Sequence, residues 1–449
     1  MINFAKLSLL AITLLATGSA FAQVKLLQKI DSSDYRWGKA VESQVKAASA
    51  SSPTRHVSVV ALSSNALEQQ AVLVDSPDGS TLQLLRENSE KHPLRESWSG
   101  STSDKKTWLF LVIEKGKVTG SLIREGVTYK LQPTSEVSIS VFSRAAVVDK
   151  PDHSSSAPPS RPASGQRGLT PITTGATGQS GNRAQAFSDP IVDLIVVLTP
   201  YARANLSDSD IQFRVDQTSA AYNNTQVPLR ARLVEIFAIS NFNESASLLD
   251  RLYAFRARAD VEARRKFVGA DFAVLLTAPG NDCGRAFPGP DNENPYAVVA
   301  VDCLDGYSFT HEIGHLQGAD HNFEQKSFGT VYNFDWPSMR DNHTFTDANG
   351  VAWEPCYRTI MASPDVVNYY YDAGYKGCQR NGFRILYFSN PDITYSLHKI
   401  GDTRFSNNRR KLTETASSVA SFLPSNSAGN QSGSINKALD IIRSIINIE

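Results

Sequence analysis

Three histidines and one glutamate carry the strongest chemical signal in the chain. His311 and His315 are four residues apart, so on a helix they project from one face, one turn above the other. Two imidazole nitrogens placed in this way can approach a single Zn²⁺ at about 2.0–2.1 Å. Glu312 follows the first histidine, where its carboxylate can reach a water at the metal without becoming a ligand. Gly318 tolerates a left-handed backbone, so it can end the helix sharply and return His321 as a third ligand. Three protein ligands leave a fourth position open, which is the catalytic rather than the structural arrangement. Zinc brings the pKa of bound water to about 7, and a neighbouring carboxylate can then take its proton during attack on a carbonyl.

Chance does not account for this spacing. With eight His and 27 Gly among 449 residues, the five positions would coincide on the order of once in 10⁵ such chains, so the long motif is far more specific than a bare H-E-x-x-H. The other histidines, His56, His92, His153, His343 and His398, stand alone and read as surface or hydrogen-bonded residues.

The elements around the motif read as an α/β unit over 189–424. The run 191–199 is β-branched and of strand type. Segments 208–224 and 245–266 carry helical spacing, and 229–239 alternates apolar and polar as a half-buried strand does. Strands are also expected at 271–277 and 296–301, followed by a helix over 308–317 that bears the histidines. Strands interleaved with helices argue a mixed, twisted sheet in an α/β (α+β) layer. A substrate backbone would add to an exposed edge of that sheet, for which 296–301, just before the active helix, is the expected strand.

Upstream, residues 23–148 break into short β-branched or aromatic runs at 56–62, 70–73, 82–85, 108–113, 118–123, 127–131 and 137–141. Asp78-Gly79, Lys115-Gly116 and Glu125-Gly126 punctuate them. This unit reads as mostly β, as a small sheet or a sandwich, with no clustered titratable site. Residues 149–188 are dense in Ser, Pro, Gly and Thr and too poor in large apolar residues to fold, so they form a flexible, cleavable linker. A β-rich unit, a cleavable linker and a catalytic unit have the layout of a zymogen, with the β unit as propeptide. Residues 425–449 add a short linker and an amphipathic helix with Ile435, Leu439, Ile442, Ile445 and Ile446 on one face.

Residues 1–22 have the three parts of an export signal: Lys6, an apolar run over 7–17, and Ala20-Phe21-Ala22 as cleavage site. An apolar run this short does not span about 30 Å of hydrocarbon, so a secreted protein without a stable membrane anchor is expected. Lys plus Arg and Asp plus Glu both number 45, a balance that argues against a surface built to bind nucleic acid or an anionic membrane. Four cysteines in an exported chain favour disulfides. Of three connectivities, pairing of neighbours, Cys283 with Cys303 and Cys356 with Cys378, is preferred; thiolate zinc sites lack the C-x-x-C pair they need.

The joint pattern His311-Glu312-x-x-His315-x-x-Gly318-x-x-His321 resembles the metzincin clan of zinc peptidases. Met361, in Thr359-Ile360-Met361-Ala362, is similar to the clan's methionine turn in order and distance, with core filling as the plainer alternative. Within the clan the segments 311–318, 357–362, 387–395 and 408–422 resemble bacterial peptidyl-Asp metallopeptidases and their reprolysin-like relatives, over roughly 190–423. The resemblance implies one catalytic Zn²⁺, a protein or peptide substrate, and an N-terminal propeptide acting as inhibitor or chaperone. A structural Ca²⁺ is not readable in either direction. Preference for Asp at the cleavage site would need a cation after the methionine, for which Lys376, Arg380 and Arg384 are the candidates and solvated surface the alternative.

Two departures bear on the carry-over. Several branches place a Tyr two residues after the methionine, where this chain has Ser363, and residues 23–190 contain no cysteine that could silence zinc. A second class of function stays open: a secreted binding or adhesion protein on the same scaffold, without significant turnover. Retention of Glu312 beside all three ligands favours the enzyme.

Overall fold

The computed structural model describes residues 24–31, 38–51, 57–91, 95–124, 126–145, 150, 189–321, 345–346, 352–353, 357–362, 383–395, 398–401, 403 and 406–425. The export signal, the linker apart from Lys150, the C-terminal helix, Cys356, Cys378, Lys376 and Arg380 lie outside them.

The N-terminal β unit is a closed barrel rather than an open sheet or sandwich. Its strands are β1 (Lys25–Lys29), β2 (Ser58–Leu62), β3 (Ala71–Asp75), β4 (Thr81–Lys91), β5 (Arg95–Ser101), β6 (Thr107–Glu114), β7 (Lys117–Arg124), β8 (Val127–Pro133) and β9 (Ile139–Arg144). β1 closes it by pairing antiparallel with β2 and parallel with β3. Closure removes the free edges that an open sheet would leave. The β6–β7 hairpin turns on Lys115 and Gly116, both at positive φ, the backbone that a two-residue turn requires. Helix α1 (Lys39–Ser51) covers one side of the barrel with Val41 and Ala48 against Val59, Ile139 and Val141.

The second unit is built on a five-stranded sheet in the order β11-β10-β12-β14-β13. β10 (Ile191–Leu198), β11 (Arg230–Ala238), β12 (Phe272–Thr277) and β14 (Tyr296–Ala300) are parallel, and β13 (Gly284–Ala286) runs antiparallel to β14. β12 is buried at every residue, as a central parallel strand covered on both faces must be. The expected edge is therefore displaced. β14 is interior, and the short Gly284–Ala286 segment, which carries no sequence periodicity, is the edge strand on that side, with β11 at the opposite edge.

Helices α2 (Pro200–Asn205), α3 (Asp208–Thr225), α4 (Leu248–Arg256), α5 (Ala259–Val268) and α6 (Ser308–Gln317) surround the sheet. Ser207 and Asp210 form a reciprocal capping box at the start of α3. The single helix expected over 245–266 is two helices. Arg258 leaves helical geometry at ψ 109 and its guanidinium grips Asp260 at 2.9 and 2.5 Å, so the chain restarts. The break lets Leu252 and Phe255 on one side and Val261 on the other reach the same core. Short ladders follow: β15 (Phe345–Thr346) with β16 (Ala352–Trp353), β17 (Tyr357–Arg358) with β18 (Phe383–Arg384), and β19 (Asn390–Tyr395) with β20 (His398–Ile400). Helix α7 (Asn408–Val419) is the last described element.

Candidate metal centre

Helix α6 begins at Tyr307, held in the left-handed region, and ends at Gly318 with φ +96. Every residue of the helix is buried. A Cβ on Gly318 would come within 2.8 Å of the Gly289 carbonyl, so both φ and space require glycine. The turn brings His321 back onto the helix. The Nε2 atoms of His311, His315 and His321 stand 3.0–3.1 Å from one another, in a pocket where all three rings are buried.

The donor set fits a divalent ion. Tetrahedral bonds of about 2.0–2.1 Å separate ligand nitrogens by about 3.3 Å, close to the spacing seen. The opposite ring nitrogens fix the tautomers. His311 Nδ1 lies 2.9 Å from the Ile360 carbonyl and His315 Nδ1 3.0 Å from the Ala319 carbonyl. A carbonyl only accepts, so both Nδ1 atoms carry the proton and both Nε2 lone pairs face the centre. Two inward lone pairs 3.1 Å apart repel unless a cation or a proton sits between them.

The third ligand is positioned from far along the chain. Asn408, at the start of α7, accepts from the Asp320 backbone N–H at 3.1 Å and donates to the Asp320 carbonyl at 3.0 Å. The Asp320 carboxylate accepts from the His321 N–H at 2.8 Å. The sequence signal for this was slight: Asn407 alone caps α7, through Arg410 N–H. The second asparagine was therefore surplus to capping.

Below the helix lies the turn carrying Met361, which is buried with its sulfur 2.8 Å from where a Cβ on Gly314 would be. Arg358, fully buried, donates to the Ala362 carbonyl at 2.7 Å and so ties the two ends of that turn. The other side of the helix is fixed by Gln317, which accepts from Tyr222 Oη at 2.7 Å and donates to the Leu412 carbonyl at 3.2 Å.

Glu312 is fully buried and faces the edge strand. A Cβ on Gly284 would lie 2.7 Å from Glu312 Cδ, so the β13 backbone passes directly against the carboxylate. A disulfide between Cys283 and Cys303, Cα atoms 5.4 Å apart, fastens β13 to the turn that follows β14. Of the three expected specificity cations, Arg384 is the one within the described residues. It is buried and donates to the Gly306 carbonyl at 2.8 Å, at the entry to α6. His398 lies in the β19–β20 ladder, opposite Tyr395, and His56, His92, His153 and His343 lie outside the described residues.

Residues 209–322 match the family described as Metallo-peptidase family M12B Reprolysin-like. The chain is also similar to proteins named peptidyl-Asp metalloendopeptidase. That of Stenotrophomonas maltophilia (strain K279a) is 27% identical over 357 residues, covering 77% of this chain and 78% of that protein. That of Xanthomonas campestris pv. campestris is 27% identical over 326 residues, covering 70% and 69%. That of Pseudomonas aeruginosa is 26% identical over 194 residues, covering 38% and 32%.

Proposed function

We propose that this chain, a zinc metalloendopeptidase with a reprolysin-like M12B domain and homology to peptidyl-Asp metalloendopeptidases, is secreted as a zymogen and uses Glu312 as its base. His311, His315 and His321 hold the metal. The observation that carries this is the convergence of three Nε2 atoms at 3.0–3.1 Å with two opposite nitrogens locked on carbonyls.

Bound there, Zn²⁺ supplies Lewis acidity toward a peptide carbonyl and acidifies water. The protein supplies the rest. An extended peptide adds to the outer edge of β13, the last strand on that side among the described residues, because an edge strand presents backbone donors and acceptors for a further strand. Gly284 keeps that edge bare beside Glu312. The Glu312 carboxylate takes the proton of the attacking water and returns it to the leaving amine. Its buried setting keeps bulk water from competing for that proton.

The relatives' name points to cleavage at aspartate. A cation must then meet the substrate carboxylate, and Lys376 and Arg380 are the residues of choice, since Arg384 is already engaged at Gly306. Residues 1–22 direct export, residues 23–148 form the propeptide and residues 149–188 the cut site. The metal-centre domain spans 189–424, in the metzincin arrangement. Among the described residues no helix is long and apolar enough to cross a membrane.

The test is mass spectrometry of peptides from a protein mixture digested by the linker-cleaved protein, with and without a zinc chelator. Chelator-sensitive cuts enriched at Asp are expected. Bound zinc without chelator-sensitive cuts would move the assignment to a binding or adhesion protein on this scaffold.

A further inference from the structure

Strand β6 is apolar on both faces, and a strand of that kind has to be covered twice. Leu109 and Leu111 point into the barrel core. Trp108, Phe110 and Val112 point outward and belong to the same core as Ile211, Phe213 and Tyr222 of α3. The Phe110 and Phe213 rings meet edge-to-face at 5.4 Å, and Trp108 stacks on Phe110 at 5.6 Å. On the far side the Arg214 guanidinium lies 4.4 Å from the Phe213 ring centre. Helix α3 is therefore buried on both flanks, including its polar Gln212, Arg214 and Gln217.

A polar contact crosses the same boundary. Lys130 of β8 stands 2.7 Å from one oxygen of Asp305, and Arg214 donates to the other at 2.6 Å. Burial acts to raise the Asp305 carboxyl, but Arg214 and Lys130 outweigh it and hold it below the usual carboxylate range. Asp305 sits in the turn that leads into α6. Arg214 also donates to the Leu304 carbonyl at 3.1 Å and Arg384 to the Gly306 carbonyl at 2.8 Å. Three cations thus hold the entry to the metal-bearing helix, and one of them belongs to the barrel. Nearby, Trp108 and Ile123 of the barrel line a cleft with Tyr307, Arg384 and Tyr387.

We propose that the barrel is a permanent scaffold of the metal-centre unit: docked through Trp108, Phe110 and Lys130, it stays bound after the 149–188 linker is cut and holds the entry to α6. The proposal rests on the zymogen reading only in taking that linker as the place of cutting. A cut beyond Lys150, which itself donates to the Gly280 carbonyl and to Asp302, removes an effective concentration of about millimolar and none of the contacts above, so an interface centred on buried aromatics persists.

The experiment places a specific protease site within 149–188 of the full chain, cuts it to completion, and follows both fragments by gel filtration in 0.15 M and 1 M salt. One peak holding both fragments in equal amount is expected, and separate peaks would overturn the proposal. Phe110→Asp alters the outer face of β6 and leaves Leu109 and Leu111 in place. It should weaken association by about 100-fold, as loss of an aromatic anchor does, so that the cut fragments separate. A cut Phe110→Asp chain that still co-elutes sinks the assigned face. In the uncut chain, Lys130→Glu should speed amide hydrogen exchange over 301–307 by about tenfold; unchanged exchange there removes the claim on α6. No readout needs peptide hydrolysis, so a bound but inactive pair would count against the proposed function and leave the scaffold standing.

Discussion

The barrel and the metal-centre unit bury apolar side chains equally thoroughly, but they treat polar ones differently. Among the described residues the barrel's buried polar side chains are hydroxyls, such as Ser121 bonded to the Tyr129 carbonyl and Ser140 bonded to the Val118 carbonyl. The metal-centre unit buries Asp193, Arg214, Arg251, Arg265, Asp271, Glu312, Arg358 and Arg384 along with three histidines. A hydroxyl satisfied inside a sheet costs little, whereas a buried ion costs several kcal/mol unless a partner is held for it. The barrel interior is thus organised for cohesion, and the barrel's charged contact with the second unit is made from its outside, by Lys130. The second unit gives up some cohesion to fix charged groups at defined points.

Four substitutions put that contrast under pressure. Glu312→Gln should lower kcat/KM by about 10³-fold while metal content holds, because the general base is lost and an amide of the same shape leaves the three imidazoles in place. Parallel peptide-hydrolysis and metal assays decide it; retained turnover breaks the assignment. In the barrel, Trp98→Ala should cost about 3–5 kcal/mol of stability in urea unfolding, since a large buried side chain leaves a cavity. A loss of activity without that loss of stability would erase the distinction between the units.

Gly284→Ala is the finer probe, because its methyl must displace the Glu312 carboxylate or the edge strand. A fall of about 10²-fold in kcat with the metal retained is the expected outcome. Smallest is Asp271→Asn. Burial pushes the Asp271 carboxyl up to about 6, partly offset by N–H groups of Asp193 and Leu423. Its folded value is raised, so its stability is intact below about pH 4 and lost as pH rises through 6. Between pH 4 and pH 8 the parent should lose about 1 kcal/mol more stability than the variant, whose amide does not titrate. A larger gap at pH 4 than at pH 8 would reverse the reading.

Much of this was legible along the chain, and the exceptions share a cause. Seven of the barrel strands announce themselves as β-branched or aromatic runs, but β1 and β5 do not: Lys-Leu-Leu-Gln-Lys has no period, and Arg95–Ser101 is mostly polar. They are strands because neighbours on both sides complete their ladders. The same holds for β13, three residues defined by pairing with β14. Spacing placed α6 and its histidines to the residue, whereas the helix expected over 245–266 broke where Arg258 found Asp260.

The sequence by itself determined the donor set and its local geometry, since a separation of four puts two imidazoles on one helical face and glycine alone relaxes φ at the exit. It also determined which runs prefer to be strands. The tertiary structure decided which strand is the edge, that Asn408 steadies the loop to His321 from 88 residues away, and that one face of β6 serves the barrel and the other α3. Those outcomes depend on contacts between segments remote in sequence, and no periodicity within a single segment records who its neighbour is.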